Sequence, residues 1–488
     1  MSGLIRKSRS AVVWNFGFSL FKDSLQFGLA LVLVRILTPE AYGQYGLITS
    51  ILGLFTVISF RSFVAHTLQI RRDEDVDYQI HFTAGVFIQS SLFIIANLAA
   101  LILYQVKQYA QIAPLLSVMS LLLLIDLSVE LRVKMLERRL EWKRFRLLNG
   151  IGVLIYAILA ITLAISGAGV YSLLIPNLLV PLPFIYDLYV KEKWRPRWYW
   201  NADRFSLAWR FGLTRILSGL LSSGRLLLES GALVLLVGYA NFGFYGRANG
   251  LAQLVCIKFA FLLMQAIYPM LTKIEGGTTT STRASGLILR SIGWSVIPMA
   301  TILAVVADPL IRTIYGEKWL EVIPLVLWAM VVGAAGAMGH AAYMLLLAGQ
   351  HERLCLYSDV WVLIGTCMSL LWLAPHGLLS YMIGVATIQI IFLLVNVTGL
   401  YRVKVVSIKG IVSAVMWPIV AALIALAICN ILWPSDAPRT ILMASIYSLV
   451  FGFLYVGTLR MLFSVSLGEL IHCLPGGKRL NRWLLIEV

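Results

Sequence analysis

Apolar runs long enough to cross a bilayer recur along the whole of this 488-residue chain, and nothing constrains its fold more. A hydrocarbon core of about 30 Å takes roughly 20 helical residues, and inside it each spanning segment satisfies its own backbone N–H and C=O groups. Hydrophobic residues make up 60% of the chain and charged residues 13%, far from the composition of a soluble domain. The expectation is an all-α polytopic membrane protein with about 14 transmembrane helices. The first run follows the basic stretch MSGLIRKSRS, which is like the n-region of a signal peptide. It continues for about 27 residues without a small-residue cleavage pattern and reads as an uncleaved helix.

A formal net charge of +17 suggests nucleic acid as a partner until the charges are placed. With the N-terminus inside, roughly 28 of the 40 Lys and Arg fall on the inner side, about four (Lys107, Arg312, Lys318, Arg439) outside and about eight within spans. That asymmetry reports topology, with both termini on the inner side and anionic lipid head groups, not nucleic acid, against the basic surface. The five cysteines, at 256, 355, 367, 429 and 473, are scattered and suggest neither a disulfide framework nor a metal site; no cofactor is expected. A GxxxxGK[ST] loop is missing from the sequence, which disfavours an ATP-driven pump.

Two helices carry charge where lipid penalises it. In the first, Lys22 and Asp23 interrupt the run, and Asn15, Ser19, Lys22 and Gln26 step by four, three and four onto one face. Ionisable groups at such depth cost a few kcal/mol each and normally face a protein interior or a water-filled cavity. About two hundred residues later Arg215, Ser218, Ser222, Arg225 and Glu229 repeat the pattern. Each striped helix leads into a matching turn, Tyr42-Gly43-Gln44-Tyr45-Gly46 and Phe242-Gly243-Phe244-Tyr245-Gly246, with Phe16-Gly17 and Phe211-Gly212 at a similar distance upstream. Glycines and aromatics also crowd the ends of membrane helices in general, but joined to the stripes the match suggests an internal duplication. Two six-helix lobes, 1–190 and 205–401, are then joined by the aromatic and basic linker 191–204, and 402–488 adds two helices and a tail.

Within that plan several residues have two readings. Arg61, near the end of a helix expected over 42–69, either lines a cavity or snorkels to the inner interface. After Pro114, a helix with Asp126 and Glu130 one turn apart is expected to continue through KMLERRLEWKRFR as a long projection with a solvated, internally paired charged face. On the eighth helix Arg247, Lys258 and Gln265 are spaced by eleven and seven, which returns each to nearly one face. Arg225 and Glu229 either contact a ligand or pair with each other across one turn. His340, in the Gly/Ala-rich VVGAAGAMGHAA that permits close helix packing, is a proton carrier or a packed histidine.

LTPEAYGQYGLI and YGEKWLEVIPLV, supported by LERRLEWKRF and FGFYGRANGLAQL, resemble the polysaccharide transporters of the multidrug/oligosaccharidyl-lipid/polysaccharide exporter superfamily, and among them the lipopolysaccharide-biosynthesis flippase branch. The resemblance covers residues 10 to 400 or so and leaves the last two helices unmatched. It implies helices 1 to 6 facing helices 7 to 12 across a central cavity. It also implies a flippase carrying undecaprenyl-diphosphate-linked oligosaccharide from the inner to the outer leaflet of a bacterial inner membrane, for exopolysaccharide, capsule or O-antigen synthesis. ISFRSFV departs from the Asp-Leu-Gly-like turn of many relatives, so no family role passes to Arg61.

The residues agree in sign. Lys22, Arg61, Arg215, Arg225, Arg247 and Lys258 outnumber Asp23, Asp126 and Glu229, an excess suited to a diphosphate, while Gln26 and Ser222 leave room for sugars. The expected partners are the lipid-linked oligosaccharide, membrane lipids, polysaccharide polymerase machinery and a coupling ion, H+ or Na+. A rival, a cation-coupled multidrug exporter of the same fold, is expected to favour an acidic cavity. A membrane glycan polymerase or ligase needs a larger outer loop than Asp308–Trp319 supplies, so the chain is not expected to be an enzyme.

Overall fold

A computed structural model of the chain describes residues 18, 21–68, 70, 77–271, 278–433 and 440–472, and every regular element among them is helical. Asn15, Ser19, the loop residues 71–76 and the tail from 473 lie outside the described residues. Helix α1 is described over 21–36. It leads to α2 (Pro39–Ile58), where Thr38 accepts a hydrogen bond from the Ala41 N–H and Pro39 supplies a preset φ at the first helical position. Helices α3 (Tyr78–Gln105), α4 (Ile112–Arg138), α5 (Trp142–Ile165) and α6 (Tyr171–Lys191) follow.

A single 51-residue run, Ala202–Ala252, is divided at Gly238, whose φ of +84° is open only to a residue without a Cβ. Its limbs are α7 (202–237) and α8 (239–271), the latter passing through a π turn at Gln253–Ile257. The remaining helices are α9 (Thr278–Val305), α10 (Ile323–Ala348), α11 (Glu352–Trp372), α12 (Leu378–Arg402), α13 (Ile408–Leu432) and α14 (Ile441–His472). Among the described residues twelve helices are long and apolar enough to cross a membrane. That number takes Phe205–Met264 as one 60-residue run and leaves out α1, whose described part is short.

Two expected helices end early. The helix expected over 42–69 stops at Ser59, which takes an extended conformation (ψ 170°), and restarts as the short turn Phe60–Val64 with the Ser59 hydroxyl accepting from the Arg61 N–H. The expected long projection after α4 is not formed. Leu140 sits at φ +56°, a left-handed conformation that costs a side-chain-bearing residue about 1–2 kcal/mol, and the chain turns back into α5 at Trp142.

By packing, the chain falls into two compact units, Met1–Gly243 and Phe244–Val488. In the first, α7 runs antiparallel along α2. Successive contacts climb one helix and descend the other: Gly212 under Phe63, Gly219 under Val57, Ser230 hydrogen-bonded to Ser50 at 2.8 Å, and Gly43 under Tyr239. At the far end the two glycines of the duplicated turns meet. A Cβ on Gly43 would lie 1.9 Å from the Tyr239 carbonyl oxygen, and one on Gly243 2.0 Å from that of Pro39, so neither position accepts a side chain without moving backbone.

The linker is extended and pinned to α3. Gln79 donates to the Arg195 carbonyl and accepts from the Arg197 N–H, and Thr83 accepts from the Tyr199 N–H, which leaves Trp198 and Trp200 exposed. In the second unit α10 is the most enclosed span. Its glycines let neighbours close in, with Gly339 under the Phe392 ring and Gly333 against Cys256.

Candidate functional site

In the first unit the break at Ser59 sets Arg61 beside α4. Its Nη2 donates to both carboxylate oxygens of Asp126 (3.0 and 3.1 Å), and its Nε lies 2.8 Å from Glu130 Oε1. One guanidinium thus bridges two carboxylates that lie one turn apart on α4. The Arg61 side chain stays 48% exposed, against 23% for Asp126 and 11% for Glu130. Arg61 is thus an ion-paired bridge with an open side.

On α7, Arg225 Nη1 is 3.8 Å from Glu229 Oε2, beyond hydrogen-bond reach. Glu229 is buried, next to the Ser50–Ser230 contact, and Arg225 is half-buried. Arg215 is exposed, with Cζ 5.7 Å from the Phe211 ring centre, and the exposed Ser222 donates to the Gly219 carbonyl at 3.0 Å. On α1, Lys22 and Asp23 are half-buried and Gln26 is exposed.

Arg247 and Lys258 belong to the second unit, the first half-buried and the second exposed. The single-face reading fails here between Arg247 and Lys258 for a definite reason, while the side chain of Gln265 lies outside what is described. The π turn at Gln253–Ile257 takes about one residue more per turn than an α-helix and so rotates everything after it by roughly a quarter turn. Composition gives no signal for such a turn. Counting Glu130 also changes the charge balance. In the first unit Lys22, Arg61, Arg215 and Arg225 are matched in number by Asp23, Asp126, Glu130 and Glu229, so the cationic excess of the set rests on Arg247 and Lys258.

Sequence reasoning missed a second charged cluster. Arg132 on α4 is fully buried, its Nε donating to Asp187 Oδ2 at 2.7 Å and its Nη1 3.1 Å from Glu192. Arg144 reaches Asp187 from α5 at 2.8 Å, and Arg139 holds Glu192 at 2.7 Å. The partners are dozens of residues apart in sequence, and the only local sign was acids and bases at the ends of apolar runs.

The described residues thus form a bundle of helices of membrane-spanning length with ion pairs along and between them. The chain belongs to the polysaccharide biosynthesis protein family, which it matches over residues 32–324. It is 23% identical over 328 residues to the succinoglycan biosynthesis transport protein ExoT of Rhizobium meliloti (strain 1021), an alignment covering 64% of each chain. With the lipopolysaccharide biosynthesis protein WzxC of Escherichia coli (strain K12) it shares 21% identity over 333 residues, 67% of this chain and 64% of that one. The chain therefore spans somewhat less than two thirds of either relative. Its fold is similar to that of the lipid II flippase MurJ in an inward closed conformation, with a TM-score of 0.74 at 14% identity over 93% of this chain and 99% of that one.

Proposed function

We propose that this protein is a flippase that moves undecaprenyl-diphosphate-linked oligosaccharide from the inner to the outer leaflet of a bacterial inner membrane, feeding exopolysaccharide, capsule or O-antigen synthesis. The observation that supports the reading is family membership, joined to cations on the long apolar helices that outnumber the acids of the set. Arg247 and Lys258, with Arg215, Arg225 and Lys22, hold the diphosphate, since guanidinium forks and ammonium groups pair well with concentrated phosphate charge. Gln26 and Ser222 contact sugar hydroxyls. Arg61 acts through its two carboxylates, and Asp126 or Glu130 is where a coupling proton or sodium ion enters, because one guanidinium leaves one negative charge over. The units alternate exposure of the substrate groups to the two sides, and the product passes to polymerase machinery.

A strain lacking the protein, complemented with wild type, Arg225→Ala or Lys258→Ala at equal membrane expression, tests this. Loss of surface polymer with lipid-linked repeat units accumulating inside is expected for the deletion, for Lys258→Ala and for Arg225→Ala. Normal polymer without the protein overturns the reading.

A further inference from the structure

The second unit holds a cavity of about 410 Å3 between α8 and α10, within the ~300–1,000 Å3 of ordinary ligand pockets. Ile257, Phe261 and Met264 line it from α8, and Ala337, Met344 and His340 from α10. On each helix these positions recur at helical spacing, so the cavity is the gap between two apolar stripes running side by side. The α8 stripe exists because of the π turn, which ends at Ile257 and turns the residues beyond it onto this face. Met264 and Met344 give the walls unbranched, adaptable side chains.

His340 is the polar group in this lining. Its Nδ1 lies 2.8 Å from the Gly336 carbonyl oxygen, and its ring packs on Phe392 at 5.2 Å. A carbonyl only accepts, so the proton sits on Nδ1, and in the neutral ring Nε2 presents a lone pair. Lys258 follows Ile257 directly on α8 and is exposed. An ammonium group therefore stands next in the chain to the wall of an almost wholly apolar cavity. That pairing of charge and hydrocarbon is the complement of an amphiphile whose phosphate is followed at once by an apolar chain.

We propose that this cavity seats the first part of the prenyl chain of the lipid-linked substrate while Lys258 takes the adjoining phosphate. The inference rests on the flippase reading for the identity of the chain. It adds that the protein grips hydrocarbon as well as head group, and that α8, through its π turn, joins the two sites.

The test uses full-length protein in nanodiscs of phosphatidylethanolamine and phosphatidylglycerol, photolysed with a diazirine-bearing polyprenyl phosphate or a diazirine-bearing acyl phosphatidylglycerol. The prenyl probe is expected to label peptides spanning 257–264 and 337–344, with unlabelled polyprenyl phosphate competing. Ala341→Phe, which fills the cavity, is expected to cut that labelling by about tenfold, equivalent to roughly 1.4 kcal/mol of binding. Labelling confined to other helices overturns the proposal, as does equal labelling of these peptides by the acyl probe. The wild-type map decides the matter even where the variant fails to fold. If the deletion strain loses polymer but the cross-links lie elsewhere, the cavity proposal falls and the flippase reading stands. If the deletion strain keeps its polymer, the flippase reading falls while the prenyl probe still decides what the cavity takes.

Discussion

Helix α4 carries two charged clusters within two turns, and they are built on opposite principles. Around Arg132 the charges balance and the central pair is closed to water: Arg132 and Asp187 are 0% and 1% exposed, and the more open Arg139, Arg144, Glu141 and Glu192 around them complete a set of three bases and three acids. Around Arg61 one base serves two acids, and its side chain is half open. A closed, balanced cluster holds one geometry, since any lost partner strands a charge away from water. An open, unbalanced cluster tolerates a change of charge state, because the side chain that bridges the acids stays in reach of solvent. The Arg132 cluster gathers α4, α5 and the end of α6 where Leu140 turns the chain, and it offsets the cost of that left-handed residue. The Arg61 cluster ties the end of α2 to α4 by a single side chain.

Neutralising one carboxylate in each place breaks or confirms this contrast most directly. Asp187→Asn removes the anion shared by Arg132 and Arg144 and is expected to cost about 3–5 kcal/mol, seen as lost membrane expression or a large fall in detergent melting temperature. Glu130→Gln leaves Arg61 its two bonds to Asp126 and is expected to cost under about 1 kcal/mol. Equal losses from the two variants overturn the distinction. Next in size, Arg61→Ala leaves two carboxylates together and is expected to cost about 1–2 kcal/mol, between the exposed and buried limits. Adding Glu130→Gln to Arg61→Ala is expected to recover part of that loss, a coupling that a double-mutant cycle measures.

Much of this was legible in the sequence, and the reasons differ by element. The spans were, because apolar length is a local property; the expected 354–373 and 378–401 helices are observed as Glu352–Trp372 and Leu378–Arg402. Asp126 and Glu130 were legible as one face of a helix, but not their bond to Arg61, 65 residues away from Asp126. The break at Ser59 falls where a serine caps the restarted turn, and the one at Leu140 on a residue that carries no stop signal. The matched glycines at 43 and 243 were visible as a repeat; that the two copies touch was not.

Acid sharpens the comparison with a smaller effect. Burial alone pushes the Glu192 carboxyl up, but the Arg139 hydrogen bond and the charges of Arg132, Arg139 and Arg144 outweigh it and hold the group below its ordinary value. A carboxyl whose folded value is depressed contributes stability that is complete above its unfolded value of about 4.3 and fades as pH falls through the lower folded one. Melting of the wild type is therefore expected to weaken with acid in that window, and Glu192→Gln to flatten the acid limb while lowering stability at neutral pH.

The smallest expected change in stability separates pairing from binding on α7. Arg225 and Glu229 are one turn apart and 3.8 Å from each other, so their mutual attraction is that of a loose intrahelical pair, worth about 0.2–0.5 kcal/mol. If that pair is all Arg225 does, Arg225→Ala shifts the melting temperature within error and leaves surface polymer intact. If Arg225 holds phosphate, the same variant melts as the wild type does but loses polymer, and Arg225→Lys, which keeps the charge and gives up the planar fork, restores only part of it. Measuring stability and polymer on the same membranes decides between them, because only a ligand contact makes the two readouts part company.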